Sequence, residues 1–200
     1  CHVSTAGSVE VIRWAKGRGV DVTAEVTPHH LLLTEDLVAS YDPVYKVNPP
    51  LRTAEDVAAL RAALADGTID AIATDHAPHP HEDKDCEWGA AAMGMLGLQT
   101  ALGVAIETMV EPGLLSWRQL ADRMAVTPAR IGRVSTQGHD LVVGAVANIT
   151  VIDPSARTVV EPTALASRSR NTPYAGRTLP GRVLHTLYAG TPTVLDGALA

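Results

Sequence analysis

TAEDVAALRAALADGTIDAIATDHAPH, residues 53–79, is the stretch that decides the fold. Thr53 stands where a helix N-cap belongs, and Asp56 follows at the third helical position. Ala54 to Ala65 then reads as a helix with Val57, Leu60, Ala63 and Leu64 on its apolar face. Gly67 stops it. Ile69 to Thr74 is a short apolar strand that runs out onto Asp75, His76 and His79. A capped helix feeding a strand whose far end is polar is the repeating piece of an α/β fold.

The same pattern extends upstream. Cys1-His2-Val3-Ser4-Thr5 reads as a polar strand end, followed by a helix carrying Val9, Ile12 and Trp14 and stopped by Gly17 and Gly19. Val20 to Val26 is strand-like and ends at Thr27-Pro28-His29-His30. Leu31 to Ala39 reads as a short helix, and Tyr41 to Arg52, with Pro43, Pro49 and Pro50, as a loop. Strand, helix, strand, helix, strand predicts βα units in a parallel sheet, and a three-strand arc alone would leave raw edges.

Downstream, a polar loop runs from Asp75 to Trp88. Helices are expected over Leu98 to Met109, over Ser116 to Ala125 with Ser116 as cap, and from Thr127 with Pro128 at the first helical position. The character changes near Gly138. Asn148 to Asp153, Arg157 to Val160 and Arg182 to Tyr188 alternate like strands, with Gly190 and Gly197 as turn points. The expected organisation is an α/β body over residues 1–138 and a small β-rich domain over 139–200.

Composition narrows the function classes. The 46% hydrophobic content permits a sizeable core, and the net charge of −6, without a recurring basic patch, argues against nucleic-acid binding. No apolar run reaches the roughly 18 residues of a membrane span. Cys1 and Cys86 are too few for a disulfide framework and read as free thiols of a reducing, cytoplasmic setting. The start at Cys1 rather than Met leaves room for residues upstream.

The polar residues cluster where strands end: His2, then His29 and His30, then Asp75, His76 and His79. In a (β/α)8 barrel such ends converge on the active site. Neutral imidazole suits zinc, and a carboxylate can bind a metal and still accept a proton. A divalent metal lowers the pKa of a bound water from about 16 toward 7. Taken singly, each residue has a plainer reading: a packed or surface histidine, or an aspartate forming the turn Asp75-His76-Ala77-Pro78. The residues alone leave both readings open.

Asp75-His76-Ala77-Pro78-His79 resembles the last barrel-strand motif of the dihydroorotases, within the amidohydrolase superfamily. Cys1 to Thr5 resembles that family's sixth-strand motif, Glu25 to Leu31 its seventh, Lys46-Val47-Asn48-Pro49-Pro50-Leu51-Arg52 the substrate loop after it, and Asn171-Thr172-Pro173-Tyr174 with Gly176 and Gly181 its tail. The resemblance implies strands six to eight of a (β/α)8 barrel and part of a composite β-sandwich. It implies reversible cyclisation of N-carbamoyl-L-aspartate to L-dihydroorotate in pyrimidine biosynthesis. His2 and Asp75 would be ligands of Zn2+, two ions per complete site, and Asp75 also the general acid/base. Asn48 and His79 would bind the substrate, and Met93 and Gly94 would offer backbone contacts to its ring amide. Cys1 and Glu25, which match positions that approach an extra metal in some relatives, are expected to be structural. Homo-oligomeric assembly and association with aspartate carbamoyltransferase are implied in the same way. The family usually carries an aromatic residue or Pro where this chain has Met93. Its other metal ligands, a His-x-His pair, a bridging Lys or Asp and a further His, would lie upstream of Cys1, so the 200 residues alone are expected to be inactive. A hydantoinase or allantoinase relative is a second reading, disfavoured by His79 and Asn48. A non-catalytic scaffold subunit is a third, disfavoured by the persistence of His2 and Asp75.

Overall fold

The computed structural model describes residues 1–200. Its first part is built on an arc of short parallel strands. The segment ending at Val3 lies beside β1 (Glu25–Val26), with Val3 N–H donating to Glu25 O at 2.9 Å. β1 pairs in parallel with β2 (Ala71–Ile72), Glu25 opposite Ala71 and Val26 opposite Ile72. The strands expected over 20–26 and 69–74 are thus regular over two residues each.

Helices connect them. α1 (Ala6–Gly17) is capped by the Thr5 side chain, which accepts from Ser8 N–H. Ala6 N–H donates to Asp56 Oδ1 at 2.8 Å, tying the start of α1 to that of the helix over Ala54–Asp66. Val9 is buried, but Trp14 stays 62% exposed, its ring beneath the Arg18 guanidinium. α2 (Pro28–Leu32) begins earlier than the expected helix at Leu31. The reason is local: Thr27 accepts from His30 N–H and Pro28 occupies the first turn. His29 and His30 are thereby buried in a helix, and a 3-10 turn over Glu35–Ser40 replaces the remainder. α3 (Ala54–Asp66) matches the sequence reading closely, with Thr53 accepting from Asp56 N–H, Gly67 left-handed at φ 87°, and Val57, Leu60, Ala63 and Leu64 buried. Leu60, Ala63 and Leu64 share one core with Val26, Leu31, Ile72 and Ile106. Each fully buried Leu there contributes about 1.5–3 kcal/mol.

After β2 come the one-turn α4 (His81–Lys84) and α5 (Ala101–Ala105), which widens into a π-helical turn over Ile106–Val110. α6 (Trp117–Ala121) starts on a capping box of Ser116 and Gln119 and passes through a second π-helical turn, Asp122–Val126, into α7 (Thr127–Ile131). The expected break at Thr127 is absent. Its backbone is helical, at φ −65° and ψ −45°, and its hydroxyl donates to Asp122 Oδ1 instead of capping. The wide turn accommodates Pro128, which has no N–H and whose ring crowds the preceding carbonyl.

The last part is an antiparallel sheet in the order β3 (Ile149–Val159), β4 (Thr178–Tyr188), β5 (Thr191–Leu195), β6 (Ala198–Leu199). The two runs expected at 148–153 and 157–160 form one strand, with one register shift at Val151/Ile152 inside the first run and one at Asp153/Arg157 between the two. Ala189–Gly190 and Asp196–Gly197 turn the hairpins with all four φ values positive, the geometry that glycine favours at such corners. A second core of Leu33, Val47, Leu51, Met95, Val104, Val160, Tyr174 and Leu179 joins the α/β part to the sheet. No helix is long and apolar enough to cross a membrane.

Candidate active site

Two strand ends meet at a histidine and an aspartate. His2 Nε2 lies 3.4 Å from Asp75 Oδ1, both side chains about a quarter exposed. Both residues adopt left-handed backbone, φ 52° and 46°, which non-glycine residues enter at a cost and which concentrates at functional sites. On its other side His2 Nδ1 lies 3.0 Å from Glu25 Oε1, within ion-pair reach but off the hydrogen-bond line, so this buried nitrogen lacks a hydrogen-bond partner. Glu25, expected to be structural, thus stands directly against the imidazole.

The donor types and spacing fit part of a zinc site. Two ligands about 2.0–2.1 Å from one ion at a tetrahedral angle lie roughly 3.3 Å apart, close to the separation of His2 and Asp75. They supply two donors of four, and no set of three or more His, Cys, Asp or Glu side chains is arranged to hold a metal. Cys1 is exposed and unpaired.

The two histidines of α2 sit behind this pair. His30 bonds Thr27 Oγ1 at 2.7 Å through Nδ1 and, through Nε2, the carbonyls of Pro49 and Pro50 at 3.0 and 3.3 Å. It fixes the loop that carries Asn48, whose side chain is exposed. His29 is buried with Nε2 unpartnered. Burial, together with repulsion from His30 and His2, holds it well below the usual imidazole range. Burial also lowers His30. His76 is committed to backbone, its Nδ1 accepting from Gly97 and Leu98 N–H at 3.2 Å each.

His79, Met93 and Gly94 form one corner. His79 Nε2 donates to Met93 O at 3.0 Å, since a carbonyl can only accept, and Nδ1 faces Asp83 at 3.8 Å. Gly94 has φ 131°, and a Cβ there would meet Ala77 Cβ at 2.5 Å and His79 Nε2 at 3.0 Å, so only glycine fits. Met93 is 56% exposed and contributes its carbonyl. A cleft of about 770 Å³ opens beside the corner between Asp42–Val44, Pro78–His81 and Ser167–Asn171.

Two lysines fasten the loop bearing this corner. Lys46 Nζ donates to the carbonyls of Trp88, Gly89 and Ala91 at 2.6–3.1 Å. Lys84 Nζ reaches those of Lys46, Ala92 and Gly94 at 2.9–3.4 Å. Burial, then the neighbouring Lys46 ammonium, lowers Lys84 to about 8. Sequence reading missed Lys84: a lysine in a polar loop carries no mark of a buried clamp.

No family model matches the chain. The sequence is 67% identical over 199 residues to a protein named dihydroorotase from Streptomyces coelicolor, covering all of this chain and 46% of that protein. Dihydroorotases of Leifsonia xyli and Mycobacterium tuberculosis are 60% and 56% identical over the same length, again covering 45% and 46% of those proteins. The chain therefore spans about half the length of the curated relatives it matches. Among solved structures, an L-hydantoinase (dihydropyrimidinase) from Arthrobacter aurescens superposes with a TM-score of 0.91 at 33% identity, over all of this chain and 45% of that one. A D-hydantoinase from Thermus sp. gives 0.89 at 25% identity, also over 45% of its length.

Proposed function

We propose that this chain, which belongs to the dihydroorotase family along its whole length, supplies the C-terminal part of a zinc-dependent enzyme that reversibly cyclises N-carbamoyl-L-aspartate to L-dihydroorotate. The observation that carries the reading is the approach of His2 Nε2 and Asp75 Oδ1 to 3.4 Å from two different strand ends, both on strained backbone. In this reading the strands are the sixth to eighth of a (β/α)8 barrel, with the body over residues 1–138 and the β-rich domain over 139–200.

His2 and Asp75 would hold zinc, together with ligands outside these residues. Zinc, when bound, polarises the ring carbonyl and makes water a better nucleophile at neutral pH. Asp75 moves the proton. In hydrolysis it takes the proton of the attacking water and delivers it to the ring nitrogen as the amide bond breaks. Glu25 orients the His2 ring from the opposite side. Asn48 and His79 bind the substrate carboxylate. His79 can do so by releasing Met93 O and turning its Nε2–H to the ligand. Met93 and Gly94 present backbone to the ring amide. Homo-oligomeric assembly and association with aspartate carbamoyltransferase rest on family resemblance alone.

The test is Asp75→Ala in the full-length polypeptide that carries these residues. Dihydroorotate hydrolysis is expected to fall at least a hundredfold, as loss of a general acid/base does, with cooperative thermal unfolding retained. Turnover within tenfold of the parent would remove Asp75 from the role. A second reading, a hydantoin-type cyclic amide as substrate, is favoured by the close superposition on hydantoinases. Side-by-side hydrolysis of dihydroorotate and unsubstituted hydantoin separates the two.

A further inference from the structure

The corner at His79 is tied to the C-terminal part of the chain by one buried amide. Asn171 is 7% exposed and precedes β4, within the buried run Asn171-Thr172-Pro173-Tyr174. Its Oδ1 accepts from His79 N–H at 3.3 Å, and its Nδ2 donates to Ala77 O at 2.9 Å and Gly94 O at 3.3 Å. Its backbone carbonyl accepts from Leu96 N–H at 3.0 Å. The orientation of the amide is fixed by its partners, because turning it over would set the NH2 against an N–H and the oxygen against two carbonyls. Only a planar group with one acceptor and two donors at this distance serves all three. Aspartate has no donor, serine is too short, and glutamine is a methylene too long for a filled site.

What Asn171 joins gives the bond set its meaning. Ala77 and His79 belong to the strand-end motif, whereas Gly94 belongs to the returning loop. These two segments also meet through Ala77 N–H to Met95 O at 3.0 Å, His79 Nε2 to Met93 O at 3.0 Å, and the bonds from Gly97 and Leu98 N–H to His76 Nδ1. Three residues beyond Asn171, Tyr174 is buried in the core that also holds Val47, Met95 and Leu179, so the amide hangs from a fixed anchor.

We propose that Asn171 is a positioning residue: it sets the separation of His79 from Met93–Gly94, and through it the β-rich part of the chain controls substrate binding. The proposal rests on the reading of His79 and Gly94 as substrate residues. Loss of the amide leaves His79 N–H without an acceptor and Ala77 O without a donor, while Lys84 still holds Gly94 O at 2.9 Å. The corner shifts without collapsing, which weakens binding more than it slows the chemistry at Asp75.

The experiment uses Asn171→Ala and the near-isosteric Asn171→Asp in the full-length polypeptide, with backbone amide exchange and dihydroorotate hydrolysis both measured. In the parent, the His79 amide should exchange slowly. In Asn171→Ala it should exchange at least tenfold faster. Asn171→Asp keeps an acceptor for His79 N–H, so its exchange should stay slow while its carboxylate faces Ala77 O and Gly94 O. In both variants KM should rise about tenfold, the equivalent of roughly one hydrogen bond, with kcat changed less than threefold. Unchanged exchange in Asn171→Ala, a parental KM in Asn171→Asp, or a loss confined to kcat would each overturn the proposal. Should neither variant fold, rapid exchange of the parental His79 amide overturns it and slow exchange supports it. If exchange responds as expected but the parent does not hydrolyse dihydroorotate, the positioning role stands and the substrate assignment falls.

Discussion

At the scale of single residues, the site is a set of groups held in states they would not choose alone. His2 and Asp75 occupy left-handed backbone, and His29 is buried with an unpartnered nitrogen. His29 yields a pH prediction. Its folded-state value lies well below that of an ordinary imidazole, chiefly through burial, while the unfolded chain titrates near 6.5. Between those values the unfolded chain binds a proton that the folded chain refuses. Stability is therefore fully present above about pH 6.5 and falls as the pH drops below it, by at most about 1.4 kcal/mol per unit for one such group. His29→Gln removes the titration, so its thermal midpoint should fall less between pH 7 and pH 5 than the parent's, both measured metal-free. Equal falls would show that His29 does not govern the acid limb. In the sequence, His2, Asp75 and His79 were legible as polar residues at strand ends. The Glu25 contact to His2 was not, because it depends on the lateral register of two neighbouring strands.

At the scale of elements, legibility followed how local the determining physics is. α3 carries its own cap, apolar stripe and glycine stop, so its sequence reading survives almost unchanged. The hairpin corners at Gly190 and Gly197 are equally local. The run through Pro128 was misjudged because a proline usually ends a helix, and only the packed structure shows the wide turn that absorbs it. The loop over residues 76–96 was legible as a loop but not as a rigid one. Its order comes from two ammonium groups bound to its carbonyls, that of Lys84 within the loop and that of Lys46 from elsewhere in the sequence, and no periodicity records that. Lys46 alone donates to Trp88, Gly89 and Ala91. Bonds from a charged donor contribute about 1.5–3 kcal/mol each before sharing one ammonium among three acceptors is discounted. Lys46→Met, which keeps the stem and removes the donors, should cost about 2 kcal/mol and speed amide exchange over residues 87–92. A parental exchange pattern there would mean that the loop is held by its own packing.

At the scale of the whole molecule, strand edges and apolar side chains stand open to solvent. The Cys1–Val3 segment has β1 on one side only, and β2 pairs with β1 alone. Leu141, Val142, Val143 and Val151 stand exposed near and on the sheet. The proposed metal pair offers two donors where zinc takes four. On the proposed reading, one thing would answer all of these features: further chain that pairs the strand edges, covers the apolar residues and completes the ligand set. The match to less than half of each dihydroorotase relative agrees with that reading. The 200 residues purified alone should therefore bind zinc at well under one ion per chain and show no dihydroorotate hydrolysis. Co-expression with a segment corresponding to the unmatched part of the Streptomyces coelicolor relative should restore both, and the two pieces should co-purify through the strand edges. Stoichiometric zinc and turnover in the isolated chain would sink this account, because the chain would then have to complete the site from its own residues or from a second copy of itself. The association state of that active material would separate those two cases, and only the second would preserve the need for strand-edge pairing.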